Sequence, residues 1–224
     1  MRKYAMSSPT VSKTFRLVLS AILASLATFM TLSQLVFPFP VLPYLRFELA
    51  EVPVVAGFLL LGPAAGLTSA AIYWGILNFV GEWVPIGPLM KLLSLAPTLI
   101  GLWIGLEVYQ RTLRKRGGAA LHFGVGVSFG ILSRVMVTTI LNYVLLGYMF
   151  PFFLELAAVS IRAATGIDLA PGTSALIGAL AFTAVFNIIH TFISVIPAYA
   201  IARAVVRAGI VEGQKIWIDT LSAP

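Results

Sequence analysis

Cysteine is absent from all 224 residues. That excludes disulfides, thiolate metal sites and cysteine nucleophiles, and it is neutral about compartment. Charge is nearly as scarce: 10% of the chain is charged, against about 25% in an ordinary soluble domain. With 59% hydrophobic residues and a mean hydropathy of +0.99, the chain reads as a polytopic membrane protein with no room for a separate soluble domain. Histidine is limited to His122 and His190, too far apart for an H-E-x-x-H zinc motif. There is no G-x-x-x-x-G-K-[ST], which excludes a Walker loop for ATP. Ser/His/Asp combinations occur only by chance. Glu107 falls at a helix end and the other carboxylates in loops, so the intramembrane acid pairs that suit ion coupling are missing. No inverted repeat is evident either. A self-powered transporter or an enzyme is hard to build from this inventory. A binding subunit that borrows its energy fits better.

What is present is a set of long apolar runs and a net charge of +7. In a membrane protein, loop lysine and arginine hold the topology, and no nucleic-acid partner is implied. The basic start, Met1–Arg16, leads into an apolar run too long for a signal-peptide core, so it reads as a retained first helix, about Phe15–Phe37. Ser20, Ala24 and Thr28 share one face of it, a small-residue stripe that lets another helix approach closely. Pro38, Pro40 and Pro43 then break the helix, and Phe37–Val52 forms an amphipathic outer loop. Val52–Val80 is apolar for nearly thirty residues around Gly62-Pro63. Splitting it there puts the basic N-terminus, Arg111–Arg116 and the C-terminal Arg203, Arg207 and Lys215 on one side, the positive-inside arrangement. The split gives helix 2 about Pro53–Leu61 and helix 3 about Ala64–Val80. Helix 2 is then too short to cross ~30 Å at ~1.5 Å per residue, unless it extends at its N-terminus or the turn lies within the inner leaflet. Helix 4 follows at about Leu89–Tyr109 with Pro97 inside, and helix 5 at about Leu121–Tyr148. An interfacial helix is expected at Pro151–Thr165, and helix 6 at about Ala175–Val206. The expectation is an all-α integral membrane protein of six transmembrane helices with both termini cytoplasmic. It divides into a cytoplasmic segment 1–14, a membrane domain 15–206 and a cytoplasmic tail 207–224.

Two of these helices carry polar stripes. Arg134, Thr138 and Asn142 recur every four residues on helix 5; Asn187, His190, Thr191 and Ser194 fall at i, i+3, i+4 and i+7 on helix 6. An arginine inside a span must face a partner, a cavity or water. Helical rise places Asn142 ~9 Å and Arg134 ~20 Å below the outer end of helix 5, and Asn187 ~18 Å below that of helix 6. The polar groups descend from outside and stop near the middle, which predicts an outward-facing pocket for a small, partly polar molecule.

Three stretches carry a family resemblance. Glu51–Gly66, EVPVVAGFLLLGPAAG, has a proline, an apolar helix and then G-P-x-x-G. Ser133–Tyr143, SRVMVTTILNY, is similar to an Arg-x-x-x-x-Thr-x-x-Asn-Tyr helix. Phe186–His190, FNIIH, is similar to F-N-x-x-K, with His190 in place of the lysine. In order and spacing, over about residues 15–206, the chain resembles the substrate-binding S components of energy-coupling factor (ECF) vitamin transporters, in particular the riboflavin-specific, RibU-like group. The resemblance implies a ligand site with Asn142 and Asn187 reading the polar edge of a flavin, together with His190, Thr138 and Tyr143. The first outer loop, through Leu45 and Phe47, would cap the ligand. It implies that Ser20, Ala24 and Thr28 pack on a transmembrane T component, and that two cytosolic ABC ATPases drive the cycle. The protein would sit in the plasma membrane of a prokaryote, with no catalytic residue, no metal and no cofactor beyond the riboflavin ligand. Another water-soluble vitamin, or a non-transport scaffold, is the alternative reading.

Overall fold

The first helix opens where a side chain can cap it. The Ser12 hydroxyl accepts the Phe15 amide at 3.1 Å, serving one of the donors that a helix start leaves open. In this computed structural model, which describes residues 12–113, 118–209 and 217, helix α1 spans Lys13–Leu32. It ends short of the expected Phe37. The reason lies just beyond it: Gln34 adopts a left-handed φ of 52°, and the proline-rich segment then builds a small hairpin. Strand β1 (Val36–Pro38) pairs antiparallel with β2 (Arg46–Glu48), Val36 opposite Glu48 and Phe37 opposite Phe47. A two-stranded ribbon is all edge, so Pro38 costs it no central hydrogen bond.

Helices α2 (Glu51–Leu61) and α3 (Pro63–Val80) are divided at Gly62, where charge balance divides them. Gly62 has φ 96°, a conformation that favours a residue without a Cβ, and Pro63 takes the first helical position. The chain reverses here. A Cβ on Gly66 would lie 2.5 Å from the Phe58 Cβ, whereas residues eight apart in a straight helix are separated by about 12 Å. α2 begins two residues earlier than expected, yet its 11 residues rise only about 17 Å. It is the most enclosed helix, with Val54, Val55, Phe58 and Leu59 fully buried among α1, α3 and α7.

Helix α4 (Ile86–Val108) contains Pro97 and runs into a π-helical turn, Tyr109–Leu113. α5 (Ala119–Val144) ends in a second π-helical turn, Leu145–Met149. α4 and α5 meet through glycine: a Cβ on Gly101 would fall 2.4 Å from the Phe129 carbonyl oxygen, and one on Gly105 2.8 Å from that of Val125. α6 (Pro151–Thr165) lies where the expected short helix was placed and stops at Gly166 in the left-handed conformation. α7 (Thr173–Arg207) is the longest element and packs on α2, α5 and α6. Among the described residues, four helices are long and apolar enough to cross a membrane: α1, α4 with its turn, α5 with its turn, and α7. The expected terminal segments 1–14 and 207–224 lie almost wholly outside the described residues. Trp217 is described, and its ring meets Phe58 edge-on at 5.0 Å.

One expectation is corrected here. Ser20, Ala24 and Thr28 do not form an open docking face. They are buried inside the chain; Ser20 donates to the Ala65 carbonyl of α3 at 3.2 Å, and Thr28 donates to the Ala24 carbonyl of its own helix at 2.9 Å. The stripe is turned into the chain's own packing, where α1 meets both α2 and α3.

Candidate ligand-binding site

A cavity of about 630 Å³ opens at the end of the bundle where α1, α3 and α5 finish and α2, α4 and α7 begin. The short α2 makes room for it. Because α2 starts low in the bundle, the β1–β2 hairpin drops into the space above, and the cavity forms between that hairpin, the α3–α4 turn and the ends of α5 and α7. Its mouth is aromatic, with Tyr44, Trp83, Phe150, Phe152 and Phe153. Its floor is polar.

The floor is organised by Arg134, which is 1% exposed. Its guanidinium grips Glu51 in a bidentate pair, Nη1 to Oε2 at 2.7 Å and Nη2 to Oε1 at 3.0 Å. Its Nε donates to Asn187 Oδ1 at 2.9 Å, and Nη2 lies 3.1 Å from His190 Nδ1. Ser194 donates to Glu51 Oε2 at 2.7 Å. His190 Nε2 is 3.1 Å from the Glu48 carbonyl oxygen in the hairpin, and the Glu48 carboxylate pairs with Lys91 of α4. One network therefore joins α2, α4, α5, α7 and β2. A buried pair of this kind is costly to break, since removing one partner leaves a bare charge out of water.

The structure brings most of the expected ligand residues to this cavity. Leu45, Thr138, Asn142, Asn187 and His190 all line it. Asn142 donates through Nδ2 to the Thr138 carbonyl at 2.8 Å. Two expected residues stand elsewhere. Tyr143 is one residue on from Asn142, hence about 100° round the helix; it is 43% exposed and meets Tyr148 hydroxyl to hydroxyl at 3.1 Å. Phe47 turns beneath the hairpin and stacks on Phe186 at 4.7 Å, fastening the loop to α7. His190 borders the cavity, but both its ring nitrogens already serve the protein.

The sequence reading missed Glu51, Glu48 and Lys91, which also line the cavity. The available signal was Arg134 itself: a buried arginine demands a carboxylate, and Glu51 is the one that abuts an apolar helix. It also missed Tyr44 and Thr183, which border the cavity and whose buried hydroxyls no described protein group bonds. Burial pushes the Tyr44 phenol up to about 12, so it stays a neutral O–H group.

No protein-family model matches the chain. The riboflavin transporter FmnP of Bacillus subtilis (strain 168) is 30% identical over 186 residues, covering 81% of this chain and 88% of that protein. The riboflavin transporter RibU of Lactococcus lactis subsp. cremoris (strain NZ9000) is 29% identical over 136 residues, 59% of this chain and 62% of that one. Among solved structures, the S component of a bacterial ECF transporter superposes with a TM-score of 0.61 at 23% identity, over 90% of this chain and 99% of the other. A mostly helical bundle with a polar-floored cavity, sharing the fold of an ECF transporter S component and 30% of its residues with FmnP over 88% of that protein, belongs to the riboflavin transporter family of FmnP.

Proposed function

We propose that this chain is the riboflavin-binding subunit of an ECF-type importer in the cell membrane. It takes the vitamin from outside and passes it inward with a transmembrane T component and two ABC ATPases. The observation that carries this reading is the convergence of Thr138, Asn142 and Asn187 on one 630 Å³ cavity walled by aromatic rings. The volume lies within the range of about 300–1,000 Å³ usual for small-molecule sites. Flat aromatic walls suit a tricyclic ring, and amides suit its edge of alternating C=O and N–H groups. The names of the relatives, riboflavin transporters, support the choice of ligand.

Charge supports the orientation. At the cavity end the basic side chains are Arg46, Lys91 and Arg162, paired with Glu82, Glu48 and Asp168, whereas the sequence clusters Arg111–Arg116 and the C-terminal Arg203, Arg207 and Lys215 away from it. Arg111, Arg203 and Arg207 lie at the other end, which the positive-inside rule makes cytoplasmic. In this reading α1, α2, α3, α4, α5 and α7 are the six crossings, α6 lies along the outer interface, and the hairpin roofs the site. The sequence holds no ATP-binding loop, so the energy comes from the partner ATPases.

The test is direct. The protein purified in mild detergent is denatured, and the released small molecules are identified by absorbance, fluorescence and mass; ligand-free protein is then titrated with riboflavin. Stoichiometric flavin with saturable quenching is expected. A different vitamin released, or no flavin bound at any concentration, would overturn the assignment.

A further inference from the structure

The Glu51–Arg134 pair carries more geometry than tying α2 to α5 requires. A guanidinium only donates. Arg134 Nε therefore obliges Asn187 to turn its carbonyl oxygen toward it. The other end of the same amide, Nδ2, donates to the Thr183 carbonyl at 2.9 Å, a group that only accepts. Neither partner can reverse roles, so the amide cannot flip, and Asn187 keeps one N–H in reserve. The same logic fixes His190. Its Nδ1 faces the Arg134 donor and must be a bare lone pair; its Nε2 faces the Glu48 carbonyl and must carry the hydrogen. Asn142 is anchored through the same atom, Nδ2 donating to the Thr138 carbonyl, but no described protein group bonds its Oδ1, so it can accept as well as donate through its second N–H. The floor thus offers a donor from α7 and an acceptor from α5.

We propose that Glu51 and Arg134 are positioning residues of the ligand site, acting through Asn187 and His190. They hold the Asn187 N–H ready for a ligand carbonyl beside the Asn142 oxygen ready for a ligand N–H. Glu51 fixes the arginine fork, and Ser194 fixes Glu51. The inference rests on the riboflavin reading: the ring's pyrimidine edge places an N–H between two carbonyls, which suits a donor and an acceptor side by side.

Riboflavin affinity, measured by fluorescence quenching on the full-length protein, is compared for the wild type, Asn187→Ala, Arg134→Lys and the double variant. Lysine keeps a positive charge for Glu51 but lacks the planar fork that serves three partners at once. Each single change is expected to weaken binding about tenfold or more. The double variant is expected to be no weaker than the weaker single, to within about twofold, because both changes remove one interaction. Losses that multiply, or wild-type affinity in Arg134→Lys, overturn the proposal. If Arg134→Lys does not accumulate, Glu51→Gln with Arg134→Met leaves no unpaired buried charge and enters the same comparison with Asn187→Ala. A wild type that binds no riboflavin removes the functional reading and this inference with it; a wild type that binds, with multiplying losses, removes the inference alone.

Discussion

Neighbouring residues on α5 do opposite jobs, and helical geometry separates them. Asn142 lines the cavity, its carbonyl oxygen bonded by no described protein group, while Tyr143 stands 43% exposed on the outside and pairs with Tyr148. Asn142→Ala is expected to weaken riboflavin binding about tenfold, the usual consequence of deleting a buried ligand hydrogen bond. Tyr143→Phe deletes only the hydroxyl contact with Tyr148 and is expected to leave affinity within about twofold, since exposed contacts of this kind contribute little. Parallel titrations of the two variants check both statements. Equal losses would mean that α5 is rotated from the orientation described here. The polar stripe of α5 was legible because a four-residue period survives in the bare sequence. Tyr143 was misplaced because adjacency in a motif says nothing about which face a side chain takes. Glu51 was missed for the converse reason. It looks like a loop residue until the hairpin folds and sets it opposite Arg134, which is 83 positions away.

At the scale of elements, the geometry of the site depends on how closely α4 and α5 approach. Gly101 and Gly105 of α4 lie against the backbone of α5 at Phe129 and Val125, one turn and more below Arg134. Gly101→Val would drive a side chain into the Phe129 carbonyl and push the helices apart. Overpacking of this sort costs about 1–3 kcal/mol, and the displaced α5 carries Arg134, Thr138 and Asn142 with it. A lower melting temperature together with weaker riboflavin binding is the expected pair of results. Gly124 is the control, since a Cβ there meets nothing within 4 Å. Gly124→Ala is expected to leave binding unchanged and melting unchanged or slightly raised, since alanine is the better helix former. If the two variants melt alike, the glycine contact does not set the helix spacing. Element order and most boundaries were readable from hydropathy, proline and glycine; the split at Gly62 came from charge balance and matches the observed turn. The β1–β2 hairpin was not readable, because Val36–Pro38 and Arg46–Glu48 are too short to show an alternating pattern and take their register from Phe47 stacking on Phe186. The small stripe of α1 was legible as a contact face, but small residues favour any close partner, and here α1 packs on α2 and α3 of the same chain.

For the whole molecule, the open question is which end meets the outside, and the absence of cysteine makes it answerable. Single cysteines can be placed at will with no background from the chain itself. Asp168 stands exposed between α6 and α7, on the cavity side, where it pairs with Arg162 at 3.4 Å. Arg207 closes α7 at the opposite end. If positive charge is retained inside, Asp168→Cys reacts with a membrane-impermeant maleimide in intact cells, and Arg207→Cys reacts only after the membrane is permeabilised. Loss of the Arg162–Asp168 contact should not confuse the result, because both side chains are largely solvent-exposed and such pairs contribute about 0–1 kcal/mol. The reverse labelling pattern would turn the cavity toward the cytoplasm. Uptake would then be untenable even with riboflavin bound, because a site that opens inward cannot collect a vitamin from outside. Labelling of both positions in intact cells would place both ends of α7 on one side, which its 35 apolar-rich residues could satisfy only by lying along the surface. The buried contacts of α7 with α2 and α5 through Asn187, His190 and Ser194 argue against that outcome, because they hold α7 in the middle of the bundle.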